Sequence, residues 1–285
     1  MTMDIVATSV DLRARVRTWR GQQDRIAFVP TMGNLHAGHL RLVRHARGIT
    51  GRVVVSIFVN PMQFGPGEDY ATYPRTLEVD TAALMQADAD LLFVPAVQEI
   101  YPGELESTTR VVVPGLGDIL CGAFRPGFFT GVATVVTRLF NLVQPDVAVF
   151  GEKDYQQLVL IRRMARELCF SVQIEGVATE REPDGLAMSS RNGYLTPAER
   201  ATAAILYRTL REVKTAVESG VVDYPALERT AMTALTRAGF RPDYVSIRRA
   251  PDLGEPAVGD TALRVLAAAW LGSARLIDNL EITVS

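Results

Sequence analysis

Short apolar runs alternate with longer stretches of helical periodicity through the first part of the chain. Residues 26–29 form a β-branched and apolar run, and residues 40–46 follow with apolar positions at helical spacing. Residues 52–59 are nearly all apolar, the pattern of a strand covered on both faces. Residues 76–87 read as a helix, 91–94 as a strand, 130–143 as an apolar helix and 147–150 as a strand. A helix over 156–168 and a strand over 172–177 complete the series. This alternation predicts an α/β fold with a Rossmann-like, doubly wound parallel sheet. Ligands of such sheets bind at the carboxyl ends of the strands, and most of the unusual sequence lies just after strands.

The pattern then changes. Thr196, Pro197 and Glu199 make a helix start, with an N-cap hydroxyl, a proline at the first helical position and an acid closing a capping box. An alanine-rich helix is expected to run to about residue 217, and a second to cover 224–238. Residues 243–248, 264–269 and 275–280 read as strands, which makes a second, smaller α+β domain. The boundary falls near Glu180, giving domains of 1–179 and 180–285, the latter expected as a lid. No internal repeat or low-complexity tract interrupts the chain.

Composition narrows the function classes. The chain has 285 residues, 48% of them hydrophobic, and a formal net charge of -2, so no basic surplus marks a nucleic-acid partner or an anionic membrane surface. No apolar run approaches a membrane span. Asp4 and the polar stretch 11–20 argue against a signal peptide. Cys121 and Cys169 form no metal-ligand spacing and read as reduced residues of a cytoplasmic protein. There are 3 histidines, and two of them, His36 and His39, lie close together.

Four stretches carry candidate chemistry. Residues 30–39, including Met32, Gly33, His36 and His39, fall between a strand and a helix. The helix N-terminus suits phosphate, and two histidines three apart share a helical face. A capped helix with surface histidines and a metal site are the alternatives, the latter lacking a third nearby Cys or His. Residues 58–64 place Asn60 and Gln63 just past a buried strand, uncharged groups suited to hydroxyls and a carboxylate. Residues 150–157 offer Gly151 for close approach, Lys153 as a mobile cation, Asp154 as an acceptor and Gln157 one turn on. Residues 184–192, with Met188, Ser189, Ser190 and Arg191, supply phosphate donors after an Asp-Gly turn.

The 30–39 stretch resembles the HIGH signature of the nucleotidylyltransferase superfamily, and 184–192 its KMSKS-type loop. The four motifs in order, with the segment 275–279, resemble the pantothenate synthetase family over nearly the whole chain. That resemblance implies ATP-dependent joining of pantoate to β-alanine through a pantoyl adenylate. It implies ATP contacts from Met32, Gly33, His36, His39, Gly151, Lys153, Asp154, Glu180, Met188, Ser189, Ser190 and Arg191. Catalytic roles fall on His36, His39, Lys153 and Arg191. Asn60, Gln63 and Gln157 carry over to pantoate and β-alanine, and Asp80 to Mg²⁺ brought with ATP. A homodimer in the cytoplasm is implied as well. Two positions depart from the family: Phe128 stands where histidine is usual, and Glu180 where a small or apolar residue is usual. Val79 also precedes Asp80 where the family has a neighbouring carboxylate. Another nucleotidylyltransferase acting on a phosphorylated alcohol is the rival activity, and the uncharged Gln63 and Gln157 argue against it.

Overall fold

The computed structural model describes residues 3–284. The chain forms two compact units. The first holds the chain up to Glu152 together with Leu160–Ala178, and the second holds Lys153–Val159 and the chain from Thr179 onward.

In the first unit the order of elements is β1 (Asp4–Val6), α1 (Ser9–Gly21), β2 (Ile26–Thr31), α2 (Ala37–Ile49), β3 (Arg52–Ile57), α3 (Leu77–Gln86) and β4 (Leu91–Phe93). Then come two single-turn helices, α4 (Val97–Ile100) and α5 (Cys121–Phe124), followed by α6 (Phe128–Val143) and β5 (Val147–Gly151). Helix α7 (Tyr155–Glu167), whose first residues up to Val159 belong to the second unit, and β6 (Gln173–Val177) follow. The six strands are parallel, in the order β1-β4-β3-β2-β5-β6. Val53, Val54 and Val55 are all fully buried, because helices cover both faces of a doubly wound sheet. On one face Ala27, Val29, Val53 and Val55 pack against Leu42, Val43 and Ala46 of α2. Strand order reverses between β2 and β5, which sets the carboxyl ends at Thr31 and Gly151 beside the switch point.

The Rossmann-like α/β class is therefore observed. The hydrophobic pattern does not reveal β1 or α1. Three residues are too few to show a period. In α1 the buried stripe is only Leu12, Val16 and Trp19 on an otherwise polar helix capped by Thr8.

The second unit has three helices, α8 (Pro197–Ala203), α9 (Ile205–Glu218) and α10 (Tyr224–Arg237). Its antiparallel sheet runs β7-β8-β9, with β7 at Arg241–Arg249, β8 at Ala262–Leu271 and β9 at Ala274–Thr283. The capping box forms as the sequence indicates: Thr196 Oγ1 accepts from the Glu199 N–H, and Glu199 Oε2 accepts from the Thr196 N–H. The single helix expected to residue 217 is instead two, separated at Ala204. Leu206, Leu210, Val213 and Val217 recur at helical spacing along α9 and pack on Leu263, Val265, Ala267 and Ala269 of β8. A break at Ala204 lets the capped turn before it follow its own direction.

Candidate active site

The turn after β2 is built almost entirely from side-chain to backbone bonds. Gly33 and Asn34 have φ of 83° and 51°, so the chain reverses through two left-handed residues. A Cβ on Gly33 would lie 3.0 Å from Ile57 and 3.2 Å from Asp80, so glycine is demanded by the protein's own packing. Asp80, 2% exposed, accepts from the N–H of Asn34 at 2.9 Å and of Leu35 at 2.8 Å, one on each carboxylate oxygen. Thr76 adds a third hydrogen bond at 3.1 Å. Asp80 is the residue that the family resemblance carries over to magnesium. Its carboxylate is an internal anchor for the histidine turn.

His36 is the N-cap of α2, with extended φ and ψ, rather than a residue on the helix face. Its Nδ1 accepts from the Gly38 N–H at 3.2 Å, and His39 Nδ1 accepts from the His36 N–H at 3.3 Å, a capping box made from two imidazoles. The rings lie 4.1 Å apart by centroid. The shared helical face expected from spacing is replaced by this stacked cap. The two backbone N–H groups are taken by the rings, so they are not the phosphate donors that a bare helix N-terminus offers. An imidazole accepting at Nδ1 carries its proton on Nε2, so each neutral ring is a donor there.

The segment after β3 is equally determined. Asn60, 1% exposed, caps a 3-10 turn at Pro61–Gln63. Its Oδ1 accepts from the Tyr101 hydroxyl at 2.8 Å and the Met62 N–H at 3.3 Å. Its Nδ2 donates to the Gly131 carbonyl at 3.1 Å and to Gln63 Oε1 at 2.9 Å. Backbone groups fix which end of the Asn60 amide is oxygen, and that in turn fixes Gln63 with its carbonyl inward and its NH₂ as the remaining group. Burial pushes the Tyr101 phenol well above its ordinary value, so it stays a donor. Asn60 therefore orients Gln63.

Arg125 closes this corner. It donates to Glu68 at 2.8 Å and 2.5 Å and to the Gln63 carbonyl at 3.0 Å. Phe128 lies 3.8 Å beneath its guanidinium, ring centroid to Cζ. The residue that departs from the family pattern thus holds its neighbour by a cation–π stack. Phe128→Ala should lower the unfolding temperature by about 2–6 °C, from roughly 1–2 kcal/mol of lost stacking and burial. Thermal unfolding by circular dichroism measures it.

In the second unit, Lys153 lies in a 3-10 turn, Glu152–Asp154, and Gln157 in the first turn of α7, so the two do not share one helix as the sequence suggests. A Cβ on Gly151 would meet nothing within 4 Å, which leaves room beside the chain. Lys153 Nζ is 3.9 Å from Asp154 Oδ2, beyond hydrogen-bond distance. Asp154 is exposed, and Gln157 and Glu180 are half-buried. The 182–191 stretch is a folded turn. Arg181 bridges to Ala187 in a short antiparallel pair, and Asp184 pairs with Arg200 at 2.5 Å. That hydrogen bond holds the Asp184 carboxyl below its ordinary range. Met188 N–H donates to the Glu180 carbonyl at 2.9 Å. Ser189 then caps a 3-10 turn over Ser190–Tyr194 by accepting from the Arg191 N–H at 3.2 Å. Sequence spacing does not point to Tyr101, Gly131, Arg181 or Arg264. For Gly131 and Arg264 the signal is a glycine or a charge inside an otherwise apolar element.

A switch-point turn lined by imidazole donors, with a fixed glutamine amide after the next strand, suits an anionic substrate and a nucleotide. On a doubly wound sheet, where ligands bind at the switch point, such a site suits an ATP-dependent ligase. The profile of the pantoate-β-alanine ligase family matches residues 4–281, and the chain belongs to that family. The pantothenate synthetase of Thioalkalivibrio sulfidiphilus is 58% identical over 280 residues, covering 98% of each chain. That of Pseudomonas aeruginosa is 55% identical over 280 residues, covering 98% of this chain and 99% of its own. The crystal structure of the Thermus thermophilus pantothenate synthetase superposes with a TM-score of 0.92 at 49% identity, covering 99% of this chain and 100% of that one. The Francisella tularensis pantoate-β-alanine ligase, solved with a β,γ-ATP compound and β-alanine, gives 0.83 at 33% identity, covering 98% and 97%. The resemblance drawn from the four motifs is confirmed. No helix among the described residues is long and apolar enough to cross a membrane.

Proposed function

We propose that this chain joins pantoate to β-alanine in two steps, with the residues named from the motifs in the roles their geometry supports. A carboxylate oxygen of pantoate attacks the α-phosphorus of ATP, the bond to the bridging oxygen breaks, and pyrophosphate leaves. The amine of β-alanine then attacks the acyl carbon of the adenylate, AMP leaves, and the nitrogen gives up a proton.

The observation that carries this reading is the fixed donor polarity in the first unit. His36 and His39 have Nδ1 accepting from backbone N–H groups, so each neutral ring carries its proton on Nε2, and in this scheme that N–H donates to phosphate oxygens. Gln63 has its carbonyl committed to Asn60, which leaves its NH₂ for pantoate's hydroxyl or carboxylate. Met32 and Gly33 supply backbone at the same turn, and Gly151 the room for a ribose that Asp154 accepts from. Lys153, Ser189, Ser190 and Arg191 take phosphate oxygens, Gln157 takes pantoate, and Met188 and Glu180 flank the adenine. Catalysis in this scheme is positioning and charge neutralisation.

Mg²⁺ enters with ATP as part of the substrate, held by phosphate oxygens and water. No group of three or more His, Cys, Asp or Glu among the described residues is arranged for a metal, and both Asp80 oxygens accept protein hydrogen bonds. A homodimer in the cytoplasm completes the reading on the strength of family membership.

Pyrophosphate–ATP exchange tests the order of steps. Exchange is expected to require pantoate and to proceed without β-alanine, and AMP is expected only when all three substrates are present. Product formation without any exchange would defeat a free adenylate. Exchange supported by a phosphorylated alcohol, with none from pantoate, would defeat the substrate assignment.

A further inference from the structure

Strand β9 carries two buried polar residues side by side, Asp278 and Asn279, 3% and 4% exposed. Successive residues of a strand face opposite sides of the sheet, so the pair reaches both. Asp278 lies on the face of Leu276 and Ile282, which belong to the hydrophobic core of this unit. Its carboxylate takes the Arg181 guanidinium at 2.7 Å and 2.9 Å. Arg181 also donates to the Gly185 carbonyl at 3.0 Å and lies 4.2 Å over the Tyr207 ring. It is the root of the turn that leads into Met188–Arg191. On the opposite face Asn279 Nδ2 donates to the Lys153 carbonyl at 2.9 Å, and its Oδ1 accepts from Arg264 at 2.6 Å. Arg264 in turn lies 3.6 Å over the ring of Tyr155.

A buried ion pair and a buried amide at adjacent strand positions are a costly way to stabilise a sheet, since apolar residues there need no compensation for lost water. Their effect is geometric. The main chain of Lys153 and the root of the 182–191 turn are gripped from the two faces of one strand. We infer that Asp278 and Asn279 are positioning residues for adenylate formation, fixing Lys153 and the Ser189–Arg191 segment in a single frame. The inference rests on the reading of those two segments as phosphate-binding groups. Displacement of a reacting group by about 1 Å costs on the order of a hundredfold in rate, so the frame matters although neither residue touches substrate.

N279D tests the idea in the full chain. It keeps an acceptor for Arg264 and removes the donor to the Lys153 carbonyl. Pantoate-dependent exchange at saturating substrates should fall about 10- to 100-fold, with the KM for pantoate changed less than about threefold. The unfolding temperature should stay within a few degrees. Because Asn279 acts through Lys153, N279D combined with Lys153→Ala should be no slower than Lys153→Ala alone. A folded N279D with normal exchange, or a double variant whose losses add, overturns the inference. If N279D does not fold, N279S is read in the same way, since its short hydroxyl does not reach that carbonyl. Near-normal exchange in Lys153→Ala would defeat the phosphate reading itself. An inactive Lys153→Ala beside an unaffected N279D defeats only the positioning role.

Discussion

Lys153→Ala is expected to lower pantoate-dependent pyrophosphate–ATP exchange by roughly 10³-fold, the scale set by removing one cation or donor from a preorganised phosphate site. The unfolding temperature should barely move. The side chain is 18% exposed, and its nearest acid, Asp154, is 3.9 Å away, so no close ion pair is lost with it. What anchors this residue is its carbonyl, held by Asn279, and alanine keeps that bond. Lys153→Arg should recover little. The chain's 30 basic residues include only two lysines, Lys153 and Lys214, and Lys214 pairs with Glu218 on the surface. A protein that otherwise uses arginine keeps a slender ammonium at this one turn, where a planar fork needs a different approach to phosphate. Exchange above about one tenth of the unmodified rate in Lys153→Ala would remove the residue from the mechanism.

Gly131→Ala should be nearly as damaging, by a different route. Alanine is normally preferred to glycine inside a helix by about 1 kcal/mol, and Gly131 lies inside α6. Here a Cβ would fall 2.2 Å from the Met62 carbonyl oxygen and 2.6 Å from its carbon. These are backbone atoms and cannot rotate away, so the Pro61–Gln63 turn must move off the helix. Gly131 also supplies the carbonyl that Asn60 donates to. The displacement therefore reaches Gln63 twice, through the chain and through the amide that orients it. The expected result is a fall of about 10²-fold in kcat/KM for pantoate, with the KM for ATP much less affected. Steady-state kinetics with each substrate varied separates the two. An equal loss for both substrates would point to general destabilisation instead.

Much of the fold is legible because the sheet is parallel and buried. Runs such as Val53-Val54-Val55 need no partner to be recognised as strands. The candidate motifs are legible for a related reason: each is a local string whose residues are near in sequence. What escapes is whatever depends on distant partners. Asp80 anchors Asn34 and Leu35 across 46 and 45 residues, and nothing local distinguishes it from a surface acid in a helix. Asn60 is singled out by its local string as a substrate ligand, but the Tyr101 and Gly131 partners that orient it lie 41 and 71 residues away. The histidine spacing of three is correct for a helix face, but His36 is one residue too early to be in the helix. Arg181 and Asp278 lie 97 residues apart, and only the folded second unit brings them together. Helix α1 is missed because its polar residues outweigh a three-residue stripe.

The imidazole cap also has a consequence for inhibitor chemistry. With Nδ1 of both rings accepting from backbone and the Gln63 carbonyl accepting from Asn60, the proposed scheme has these three side chains meet substrate as N–H donors. A competitive compound gains from acceptors such as sulfonyl, carboxylate or phosphonate oxygens. An added ammonium, which can only donate, facing the same groups would have to break a cap or flip an amide already satisfied by protein. Small anions rich in oxygen are thus the natural starting points for fragments, and donor-rich heterocycles are poor ones.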